Sequence, residues 1–163
     1  MERPKAECLS VPRWSNYRRV TVSLRRYGPY HQVMTLPSVE VGFVSSDSRL
    51  RDFLLTVFEF EPLSQIDLPI GTLHRLQGDG TVVKVFVPAE QPEPPQRAET
   101  FFGIGGLRFL TIRVKDIDGV IDRALTGGGR VVNGPNEPMP GVRTAMLEDP
   151  DGNTIEVSQT FTA

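Results

Sequence analysis

Leu147-Glu148-Asp149-Pro150-Asp151-Gly152-Asn153-Thr154-Ile155-Glu156-Val157-Ser158 reads as a β-hairpin. A strand ends at Glu148 and Asp-Pro-Asp-Gly turns the chain. Pro150 presets a turn φ, and Gly152 supplies the positive φ that closes it. The outgoing strand alternates, with Ile155 and Val157 on one side and Thr154, Glu156 and Ser158 on the other. The aliphatic pair needs a core, so Glu156 faces away from it. A carboxylate at such a position either meets solvent or lines a polar cavity.

The same pattern recurs upstream. Val39, Val41 and Phe43 give a strand one apolar face, and Ser46-Asp47-Ser48 supplies a helix N-cap region. Leu50, Phe53, Leu54, Val57 and Phe58 follow at helical spacing. Strands are expected over residues 60–68, 72–77 and 82–87, the last two joined at Gly78-Asp79-Gly80. In the second half Leu110, Ile112 and Val114 oppose Phe109, Thr111 and Arg113. Asp116 takes the place of Asp47, and Val120, Ile121, Ala124 and Leu125 form a helix that the Gly127-Gly128-Gly129 run ends. Strands over 130–133 and 142–148 flank a Pro-rich loop at 134–141. Each half is therefore a β-α-β-β-β unit, and each is expected to bury one sheet face under its own helix.

Aligning the halves sets Lys84 on Glu156, His74 on Met146 and Glu40 on Phe109. Strand alternation turns Val41, Phe43, Val83, Val85, Leu110, Ile112, Ile155 and Val157 toward the helices. Glu40, Lys84, Phe109, Thr111, Arg113 and Glu156 then face the other way. A tight turn at Asp79-Gly80 is expected to bring His74 nearly across from Lys84 on that same face.

Composition narrows the class. In a chain of 163 residues, 39% hydrophobic and 23% charged content suits one globular domain or two small modules sharing a core. The lack of a long apolar run or a signal-peptide core makes a cytoplasmic location, away from membranes, the default expectation. A lone cysteine, Cys8, supports neither an internal disulfide nor a thiolate metal site. Residues 1–37 carry seven Arg/Lys against two acids, whereas the rest carries eleven against eighteen. The acidic folded part argues against nucleic acid as a partner. Residues 1–37 read as a basic, loosely docked extension in which residues 20–24 are the one strand-like alternation. The Pro-, Glu- and Gln-rich residues 89–106 read as a linker between modules at 38–88 and 107–159.

With these residues in place, the chain resembles the vicinal oxygen chelate superfamily. Its members include glyoxalase I, extradiol dioxygenases, methylmalonyl-CoA epimerase, fosfomycin-resistance enzymes and bleomycin-binding proteins. The resemblance spans about residues 38–159 and rests on the stretch 148–157, on Val41-Gly42-Phe43-Val44 running into Asp47, and on Thr111-Ile112-Arg113-Val114 running into Asp116. It implies an α+β fold of two tandem βαβββ modules that form a curved mixed sheet around a shared cavity. The modules pair either within one chain or across a homodimer.

In the metal-dependent members a divalent ion is held from the first and last strands of each module. Those positions carry over to Glu40, Lys84, Phe109 and Glu156. Phe109 has no donor atom, and protonated Lys84 brings a cation where the ion would sit. The preferred expectation is accordingly a small-molecule-binding protein of the resistance or sequestration type, with no cofactor and with Glu40, Phe109, Thr111, Arg113 and Met146 around the ligand. The alternative is a glyoxalase-like lyase or isomerase, or a dioxygenase-type enzyme, with a rebuilt Zn, Mn, Fe or Ni site on Glu40, His74 and Glu156. A metal-free enzyme would use Lys84 as electrophile and Glu156 or His74 as acid/base.

Overall fold

The computed structural model describes residues 39–93, 103 and 105–161. The strand-like residues 20–24 and most of the linker lie outside them. The first module runs β1 (Glu40–Val44), α1 (Arg49–Val57), β2 (Glu61–Leu68), β3 (Gly71–Gly78) and β4 (Thr81–Pro88). The second runs β5 (Phe109–Arg113), α2 (Ile117–Thr126), β6 (Arg130–Met139), β7 (Val142–Glu148) and β8 (Thr154–Thr160). Each module has its own four-stranded sheet, ordered β1-β4-β3-β2 and β5-β8-β7-β6. The first strand of each lies parallel to the last, and the other pairings are antiparallel. This is the expected α+β arrangement of two βαβββ modules.

Both helices start where the acidic caps place them. Asp116 caps α2 by accepting a hydrogen bond from the Gly119 N–H at 3.1 Å. At α1 the capping position is Ser48, whose side chain makes no cap bond, while Asp47 accepts from the Arg49 N–H at 2.8 Å. The Asp-Pro-Asp-Gly turn forms with Gly152 at φ +86°. Its scaffold is the buried Asp149, whose Oδ1 accepts from the N–H groups of Asp151 (3.0 Å) and Asn153 (2.9 Å) while Oδ2 accepts from Asn153 Nδ2 (2.9 Å). The carboxylate thus occupies backbone donors that the turn would otherwise leave unpaired.

Two expectations are corrected. The Pro-rich residues 134–139 belong to β6, which extends to Met139. Register breaks between Val131 and Asn133, Asn133 and Asn136, and Asn136 and Met139 let the strand carry prolines that cannot donate to a ladder, and the Gly134–Pro135 bond is cis. Nor does each sheet rest only on its own helix. Leu50 and Leu54 of α1 join Leu76, Val83 and Val85 in the first core. Phe53 and Val57, on the adjoining stripe of α1, instead complete the second core with Ile117, Val120, Ala124, Ala145, Leu147, Ile155 and Val157. One helix thus serves two cores.

The glycines after α2 fit this junction. A Cβ on Gly129 would lie 2.8 Å from both the Phe53 ring and the Glu148 carbonyl, so the third glycine makes room for the neighbouring module as well as ending a helix. Arg123 Nε ties the helices further by donating to the Val57 carbonyl at 3.1 Å.

Candidate functional site

With the helices on one side, each sheet leaves an open face among the described residues, and register settles which side chains stand on it. In the first module Val83 and Val85 are fully buried under α1, so Lys84 between them stands on the open face. Gly42 lies beside Lys84 on β1, and Glu40 stands two residues earlier on that same face. On the other flank Arg75 pairs with Lys84. Glu40 accepts an ion pair from Lys84 through Oε2 and a hydrogen bond from Arg75 Nη2 through Oε1 at 3.3 Å. The Lys84 ammonium, seconded by the Arg75 guanidinium, holds the Glu40 carboxyl below the usual glutamate range. All three groups are partly open to water, which screens the attraction.

In the second module Ile155 and Val157 are buried, and Glu156 stands on the open face between Thr111 of β5 and Met146 of β7. Thr111 Oγ1 donates to Glu156 Oε2 at 2.6 Å. By the same alternation Phe109 and Arg113 share this face, and Phe109 is 43% exposed. The alternation read from sequence therefore places Glu40, Lys84, Phe109, Thr111, Arg113, Met146 and Glu156 on open faces, as two clusters on two separately bonded sheets.

His74 is the exception. It pairs with Val85, so its side chain lies on the helix side, where it is 8% exposed. The two-residue turn Asp79-Gly80 pairs Gly78 with Thr81 and thereby brings Arg75 opposite Lys84. The corresponding hairpin of the second module pairs Glu148 with Thr154 across a five-residue turn. Aligning the halves without allowing for this difference shifts β3 by one residue, and a one-residue slip turns a side chain to the opposite face. Arg75 is the open-face residue this alignment missed. Counting outward from a two-residue hairpin at Gly78 and Thr81 finds it.

Burial holds the His74 imidazole below its ordinary pKa, Arg51 adds to the effect, and Asp67 and Asp52 oppose it. The folded chain then binds fewer protons than the unfolded chain between that lowered value and about 6.5. Stability rises with pH through this window, so the contribution is fully present above it and is lost as the pH falls through it. The thermal midpoint of His74→Gln should consequently fall less than that of the parent between pH 7 and pH 5. Equal slopes in a fluorimetric melting series would show that His74 is already relaxed in the fold.

A family model described as the Glyoxalase/Bleomycin resistance protein/Dioxygenase superfamily matches residues 41–157. The chain belongs to this superfamily. Solved structures share its fold. A glyoxalase family protein from Bacillus cereus superposes with a TM-score of 0.64 at 14% identity, over 80% of this chain and 99% of that one. TnmS3, an antibiotic binding protein from Streptomyces sp. CB03234, gives 0.54 at 24% identity over 80% and 98%. The fosfomycin resistance protein FosX from Listeria monocytogenes gives 0.59 at 11% identity over 78% and 96%. No curated protein matches the chain. Among the described residues no helix is long and apolar enough to cross a membrane.

The residues at the superfamily's metal positions do not fit a divalent ion. Lys84 stands at one of them with its ammonium already on Glu40, and Arg75 bonds the other Glu40 oxygen. Phe109 offers no donor atom, and Glu156 is bonded by Thr111. The rebuilt set of Glu40, His74 and Glu156 loses its imidazole to the helix side of β3. Among the described residues no group of three or more His, Cys, Asp or Glu side chains could hold a metal ion.

Proposed function

We propose that this chain is a metal-independent small-molecule-binding member of the superfamily, of the resistance or sequestration type, acting as a homodimer. The observation that carries the reading is the Glu40 carboxylate shared by Lys84 and Arg75. An internal cation takes the place that a metal-dependent relative would give to its ion, so the polar groups of the face serve to orient a ligand. Apolar surface adjoins them. Val44, Ile66 and Leu68 are exposed in the first module, and Phe109, Val132 and Met139 in the second. A ligand site combines such surface with a few fixed polar groups. Because the modules of one chain meet through α1 and α2, the first-module face is free to lie over the second-module face of another copy, enclosing a cavity. The antibiotic binding of TnmS3 and the fosfomycin resistance of FosX are functions of the same fold in other proteins.

A panel of antibiotics, screened by thermal shift on the full chain before and after exhaustive chelation, tests this reading. The expected result is a ligand whose stabilisation survives chelation and weakens at least about tenfold in Lys84→Met and in Glu156→Gln. Sedimentation of the same sample should give twice the chain mass. A stoichiometric metal whose removal abolishes binding or turnover would overturn it.

A further inference from the structure

The open face of the first sheet is graded from acid to apolar. Register sets Glu40, Val82, Gln77 and Glu61 in one row across the four strands. The next row is Gly42, Lys84, Arg75 and Ser64, and the row after it is Val44, Phe86, Leu73 and Ile66. Rows on one face stand about 7 Å apart, and a row over four strands spans about 14 Å. The acids therefore lie at one end, the cations in the middle and an unbroken apolar row beyond them. Phe86 and Leu73 stand outside the cores under the helices, and Val44 and Ile66 are 61% and 43% exposed.

Gly42 is a gap in this pattern. Its φ is not positive, so the backbone does not call for glycine, and a Cβ built there would meet nothing within 4 Å. The bare position opens a seat with Lys84 beside it and Val44 next on the same face. Glu40 engages one donor of the Lys84 ammonium and one of the Arg75 guanidinium. An ammonium has three donors and a guanidinium five, so both cations keep donors for a second acceptor. Among the described residues Glu61 bonds neither of them.

We propose that this face binds an organic monocarboxylate with an extended apolar body. The carboxylate sits over Gly42 against Lys84, and the body lies along Val44, Phe86, Leu73 and Ile66. This rests on the open face being the ligand site and names the class of ligand. A charged acceptor makes stronger use of the spare donors than a neutral one, and a cationic head is repelled. Glu40 already offsets one of the two cations, so a single further negative charge balances the pair. On the second sheet Arg113 and Glu156 bring one charge of each sign, so a facing copy leaves that balance unchanged.

Biphenyl-4-carboxylate is the probe, titrated calorimetrically into the full chain beside its neutral amide. The acid is expected to bind saturably with a dissociation constant on the order of 100 micromolar, and the amide about tenfold more weakly. Benzoate, which has the head without the long body, should also lose about tenfold. Lys84→Met should erase the preference for acid over amide, whereas Phe86→Ala should weaken both. Gly42→Leu fills the seat where the backbone and the space accept a side chain, so it should keep the thermal midpoint and lose the acid. Equal affinity for acid and amide, no saturable binding of the acid, or unchanged binding in Gly42→Leu would overturn the proposal. Those outcomes leave the open-face reading standing, because it is tested by the antibiotic panel in Lys84→Met and Glu156→Gln.

Discussion

Phe53→Ala lowers the stability of the chain by about 3–5 kcal/mol, the usual cost of emptying a buried phenylalanine site. Phe53 is 2% exposed, and although it belongs to the first module's helix it is packed in the second module's core. Its ring meets Phe58 edge-on at 6.0 Å and lies against the glycines that follow α2. Removing it opens a cavity at the junction of two modules, where neither sheet can collapse to fill the space alone. Because a domain of this size holds only about 5–15 kcal/mol in all, the variant loses a large share of it. Leu50→Ala, on the neighbouring stripe of the same helix, empties a site wholly within the first core. It should cost about 2–5 kcal/mol and leave a single cooperative transition, whereas Phe53→Ala should also separate the transitions of the two modules. Urea unfolding followed by circular dichroism measures both. A loss below about 1 kcal/mol for Phe53→Ala would mean that the modules are stable apart and that the shared helix is incidental.

Lys84→Glu combined with Phe109→His is expected to create saturable Zn binding with a dissociation constant on the order of micromolar, where the parent chain is expected to show none. The first change removes the cation that occupies Glu40 and replaces it with a second carboxylate. The second gives an imidazole to a position that has no donor. With Glu40 and Glu156 unchanged, the four positions become three carboxylates and one imidazole, a set suited to Zn or Mn. Arg75 still bonds Glu40 in this variant, so adding Arg75→Gln should tighten the affinity further. Glu40 and Lys84 belong to one sheet and Phe109 and Glu156 to the other, so a four-ligand site requires the two open faces to meet. Isothermal titration with Zn, run on the homodimer proposed above, reads both the ligand set and that meeting. Absence of saturable binding in a variant that remains folded and dimeric would refute the assignment of these four positions.

The sequence by itself determined the repeat and the facing of most of its residues. Alternation is a local property, set by the pleat of each strand. Val83 and Val85 around Lys84, and Ile155 and Val157 around Glu156, were therefore enough to turn the charged residues away from the helices. The Asp47 bond to the Arg49 N–H and the Asp116 cap are local in the same sense, as is the Gly152 turn. Tertiary structure alone decided what depends on partners distant in sequence. It set Arg75 rather than His74 across from Lys84, because register between strands follows from how a hairpin closes and not from either strand's own pattern. It kept β6 a strand through its prolines, because β7 pairs with the segments between its register breaks. Helical periodicity shows that Phe53 and Val57 are buried; only the packing of α1 against α2 shows that they are buried in the other module. Hydrophobic burial is non-directional, so the apolar stripes of a helix do not name the surface that will cover them.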